Sequence, residues 1–127
     1  MSAWIKSLPE VDDYSPRTRA GFAIMGIGSA LSHMEGHHQL KDAIILAETQ
    51  QAAAHVRAWR KSLPKDQQDE HYPEDALEVF RDVRTDLLDA LLGIYHASLY
   101  ANVGHNLREA EAFLRRAGEH MMGESDE

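Results

Sequence analysis

Four prolines, Pro9, Pro16, Pro64 and Pro73, divide this chain, and their spacing constrains its fold more than any other feature. A proline inside a helix removes a backbone hydrogen bond and clashes with the preceding turn, so it belongs at a first helical position or outside the helix. The long stretches after Pro16 and after Pro73 contain no such breaker until the next loop or the chain end. Both repeat apolar residues at three- and four-residue steps, the period of an amphipathic helix, and almost nothing alternates as a strand would. The expected class is therefore all-α: one bundle of about four main helices behind a short N-terminal arm, expected to oligomerise. Its 127 residues suit a single domain. The reading places a docking arm at 1–14, the bundle at 15–122 and a frayed acidic tail at 123–127.

The first helix has a clear start, because Ser15 can cap free N–H groups and Pro16 suits the first helical position. Ala20, Ile24, Ile27, Leu31 and Met34 then repeat along one side. The second helix is expected from about His38 to Lys61 with two largely apolar lines: Leu40, Ala43, Ile44, Ala47, Gln51 and Ala54 on one, Ile45, Ala52, Val56 and Trp59 on the other. The polar "SLPKDQQDEHYPED" breaks the chain. Pro73 then opens the longest helix, predicted to run to about Val103 with a core line of Ala76, Phe80, Val83, Leu87, Ala90 and Ile94. Such a helix would span roughly 45 Å. In the last helix Gly104 is read as a preceding stop, Asn106 as the cap and Glu109 as its capping-box partner. Leu107, Ala110, Leu114, Ala117 and Met121 face inward.

Two features point to a second copy. Gly21, Gly26 and Gly28 lie inside the first helix, where each glycine costs about 1 kcal/mol against alanine. That cost implies another backbone close by, from this chain or a partner. Leu88, Leu92, Tyr95 and Leu99 form a second apolar side on the long helix, about a quarter-turn from its core line. The expected self-contact residues are Gly21, Gly28, Leu88, Leu92, Tyr95 and Leu99.

Charge narrows the partners. There are 13 basic and 21 acidic residues, a net charge of −8. Such a surface repels phosphate backbones, which argues against general nucleic-acid binding. It would attract a basic protein instead, and Asp82, Asp86 and Asp89, on an acidic stripe with Asp75 and Glu78, are the residues expected to meet it. The stripe also allows a magnesium reading through Asp86 and Asp89, although the matching carboxylate pair on another helix is missing. The chain has no cysteine, so thiol nucleophiles, zinc–thiolate centres and disulfides are excluded. No run is apolar enough for a membrane span, and cytoplasmic residence is the default expectation.

The segment "SHMEGHHQLKD" is the strongest metal candidate. His33, Glu35, His37 and His38 would share a face if the helix continued through Gly36, and imidazole with carboxylate suits a divalent ion such as zinc or iron. The alternative is a polar corner between two helices. Association is thus the leading expectation, and a metal-binding bundle or metal-dependent hydrolase its rival. No catalytic residue is identified.

Overall fold

The computed structural model describes residues 3–35, 41–73, 77–99 and 102–123. It is all-helical among those residues, with four main helices and a short N-terminal one packed as a single bundle. The elements are α1 (Ala3–Ser7), α2 (Pro16–Met34), α3 (Lys41–Lys61), a 3-10 turn (Lys65–Gln67), α4 (Val83–Leu99) and α5 (Val103–Met122).

α2 begins where the sequence indicates: the Thr18 N–H donates to Ser15 Oγ, and Pro16 takes the first helical position. Its inner side buries Ala20, Ala23, Ile27 and Ala30. α3 runs antiparallel to it. Phe22 meets His55, and Gly26 meets Glu48 and Ala52. A Cβ on Gly26 would lie 3.3 Å from the Glu48 carbonyl oxygen, so this glycine is explained by helix contact within the chain. That contact also selects between the two apolar lines of α3. Ile45, Ala52, Val56 and Trp59 are buried, while Ala43 and Ala47 of the other line face outward.

α4 packs antiparallel on α5, with Gly93 against Ala110 and Asn106, and Asp86 against Arg116. Leu87, Ala90, Ile94 and Ala97 of α4 meet Leu107, Ala110, Leu114 and Ala117 of α5 in the common core. α3 packs on α5 and α2 on α4, which closes the ring α2–α3–α5–α4. α1 docks on α5. Trp4 is fully buried, and a Cβ on Gly118 would lie 2.0 Å from its ring.

Three sequence expectations are corrected here. The long helix does not start at Pro73: residues 77–82 are not helical and α4 begins at Val83. At 17 residues it is about 25 Å long, not 45 Å. The reason is the route of the connection from α3 to α4. Tyr72 packs on His105 near the start of α5, and Phe80 packs on His120 near its end. His105 and His120 are separated by a helical rise of about 22 Å, whereas an eight-residue helical step rises only about 12 Å. The described parts of the connection, here called the strap, thus lie against both ends of α5, and α4 turns back from the far one. The second correction concerns Gly104, which sits in the first turn of α5 and does not stop a helix. A Cβ there would come within 1.6 Å of the Gln67 carbonyl oxygen, so only glycine lets the 3-10 turn seat against α5. Third, the residue before α5 is Asn102, in the left-handed region at φ 61°, so Asn106 is not the cap. The tail at 124–127 lies outside the described residues.

Candidate functional site

The outer side of the α2–α4 seam carries the candidate site. On α2, Gly26 marks the direction of α3, and Gly21, Met25, Gly28 and Ser32 lie roughly 120° around the helix from it. On α4, Gly93 and Asp86 mark the direction of α5. Leu88, Leu92, Tyr95 and Leu99 lie roughly 140° from it. Both lines therefore border the seam on its solvent side. Met25 is 68% exposed, Leu92 52% and Leu99 70%, with Leu88 and Tyr95 also exposed. Nothing lies within 4 Å of a Cβ built on Gly21 or Gly28.

The contrast among the three glycines is informative. Gly26 is accounted for by α3, whereas among the described residues no close contact requires the other two. Charge is also absent from this face. Along the α2 line the first charged residues are Arg17 and Glu35, and on α4 the line runs from Arg84 to Leu99 without a charge. The five exposed apolar side chains offer on the order of 500 Å² per copy, at the upper end of the patches monomers expose. That is about two-thirds of one side of a standard protein–protein interface.

The acidic residues fare differently. Asp82 accepts the Thr85 N–H at 2.7 Å and so starts α4; this bond holds its carboxyl below the usual carboxylate range. Asp86 is fully buried. Arg116 grips it with two hydrogen bonds, Nε to Oδ2 at 2.9 Å and Nη2 to Oδ1 at 2.8 Å. That pairing raises the pKa of Arg116, and the charge of Asp89 adds to it. Arg116 also donates to the Glu78 carbonyl and lies over the Phe80 and Phe113 rings. Of the three aspartates expected to meet a basic partner, Asp86 is removed from the surface by this clamp, and Asp82 serves as a helix cap. Asp89 lines a cavity between strap, α4 and α5. Asp75 lies outside the described residues.

The histidine corner is only partly described. His33 Nδ1 lies 2.8 Å from the Ser29 carbonyl and 2.9 Å from Glu48 Oε1, and Glu35 is the exposed C-cap residue of α2. His37 and His38 fall outside the described residues. Among the described residues no group of three or more His, Asp or Glu side chains could hold a metal ion.

Sequence reasoning missed a buried ionic group on the other side of the bundle. Arg60, 1% exposed, donates to Glu111 Oε2 at 2.7 Å and to the Gln68 carbonyl at 2.9 Å. Arg57 holds the second Glu111 oxygen at 2.9 Å. The available signal was a glutamate between Ala110 and Ala112 on a helix whose neighbours carry basic residues.

No protein-family model, curated protein or solved structure matches this chain. Among the described residues no helix is long and apolar enough to cross a membrane.

Proposed function

We propose that this protein works by association, and that the outer α2–α4 face joins it to a second copy. One observation carries the reading: exposed large apolar side chains share one charge-free face with two glycines whose added Cβ would meet nothing within 4 Å among the described residues. The large residues of α4 can fill the shallow line left by Gly21 and Gly28 on the partner's α2. A two-fold arrangement makes that contact twice, since an isologous interface uses the same patch on both subunits. Burial of about 1,000 Å² in total then reaches the lower bound for a specific interface.

Native mass spectrometry and sedimentation of the full chain test this directly. The expected particle is a multiple of 14.3 kDa, and Leu92→Asp should shift it to the single-chain mass by placing a charge at the centre of the patch. A wild-type protein that stays monomeric at about 100 μM, far above typical interface dissociation constants, would overturn the proposal.

A further inference from the structure

An acidic feature open to solvent lies on the N-terminal arm. Glu10, Val11, Asp12 and Tyr14 form one wall of a cavity of about 240 Å³, and Phe22, Gln51 and His55 form the rest. We propose that this pocket receives the guanidinium or ammonium side chain of a basic protein segment.

Three rings line it in succession. Tyr14 and Phe22 lie 5.2 Å apart between centroids, and Phe22 stacks on His55 at 5.0 Å with an interplanar angle of 24°. Tyr14 and Phe22 keep part of their surface open. Aromatic faces attract cations through the ring quadrupole, and a planar guanidinium can stack on them while its N–H groups reach carboxylates. Glu10 and Asp12 stand at the rim and form no ion pair among the described residues, whereas Asp13 reaches toward Arg19.

His55 gives the second, independent indication. It is 3% exposed and its Nδ1 has no hydrogen-bond partner among the described residues. A buried polar atom left unpaired is uncommon and calls for an explanation. Burial first, then the charge of Arg19, lowers its pKa, so at neutral pH the floor is an uncharged ring with an unfilled polar atom and does not repel a cation. Arg19 is the nearby cation: its Nε and Nη2 face the Tyr14 carbonyl at 3.0 Å and Asp13 at 3.4 Å, its Nη1 has no hydrogen-bond partner among the described residues, and it does not line the cavity. An anionic ligand would meet Glu10 and Asp12 at the entrance. A cation meets two carboxylates and two partly exposed rings, and the chain's net charge of −8 favours its approach. A volume of this size suits one side chain.

The test is a titration of the ¹⁵N-labelled full chain with an acetylated Gly-Arg-Gly amide, its citrulline counterpart and the free amine agmatine. Saturable shifts at Tyr14, Phe22, Gln51 and His55 are expected for the arginine peptide. Phe22→Ala and the exposed-site variant Asp12→Asn should each weaken binding by roughly 3- to 10-fold. Equal binding of the citrulline peptide, shifts elsewhere only, or no response to Asp12→Asn would overturn the site. Agmatine binding as tightly as the peptide would overturn the assignment to a protein segment. This outcome is independent of the α2–α4 face, since Leu92→Asp leaves the pocket intact.

Discussion

The α3–α5 side and the α2–α4 side of the bundle solve opposite problems. On the first, Arg60 and Glu111 are buried and paired, the half-buried Arg57 takes the second Glu111 oxygen, and Arg60 also holds the strap through the Gln68 carbonyl. On the second, large apolar groups are exposed beside glycines with open space over them among the described residues. Buried ionic groups are costly in water-free surroundings unless each charge is met, so an arrangement that separates Arg60 from Glu111 is disfavoured. Exposed apolar residues fix nothing within the protomer and leave surface to be covered. The first side thus specifies the protomer's internal structure, and the second is available to a partner.

Breaking the polar side should have the largest effect. Glu111→Ala leaves Arg60 buried without its carboxylate, and the expected loss is about 3–5 kcal/mol of stability, read by chemical denaturation. The same experiment on Leu92→Asp should change protomer stability by less than about 0.5 kcal/mol, because the site is exposed. A comparable loss in both variants would erase the distinction between the two sides.

The glycines sharpen it. Gly28→Ala should stabilise the isolated protomer by about 1 kcal/mol, since the site is helical and open. It should also weaken association, which sedimentation equilibrium would measure. Gly26→Ala should show no such gain, because its Cβ would press on the Glu48 carbonyl at 3.3 Å. Matching effects at both positions would remove the reason for assigning Gly28 to a partner.

The smallest expected effect is one of pH. His55 has its pKa held below 6.5 in the folded chain, mainly by burial. The unfolded state binds that proton more readily, so the stabilising contribution is complete above pH 6.5 and is lost as pH falls through the folded value. Thermal melts at about pH 7.5 and about pH 5.5 should differ more for the wild type than for His55→Gln.

Legibility in the sequence follows the same division. The start of α2 and the inward line of α5 could be read because a cap, a proline or a single apolar stripe determines each locally. The α3 faces could not, since both lines are apolar and the choice rests on the approach of Gly26. Residues 77–82 misled for a related reason. Phe80, Val83 and Leu87 have helical spacing, but Phe80 uses its ring against His120 while helix begins only after Asp82. Periodicity records which residues pack and is silent on whether the backbone between them is coiled. On the α2–α4 face the sequence supplied the residues, and the structure added that the two lines flank one seam.

The strap along α5 also bears on the order of assembly. α2 with α3, and α4 with α5, are each neighbours in sequence and can pair as helical hairpins through local contacts. The contacts between the hairpins join residues far apart in the chain, and such closures slow folding. The expected slow step is therefore docking of two preformed hairpins, with Arg60 and Arg116 securing the strap at either end once it has been drawn along the bundle. Variants that lengthen the strap should slow that step while leaving each hairpin's own helices intact.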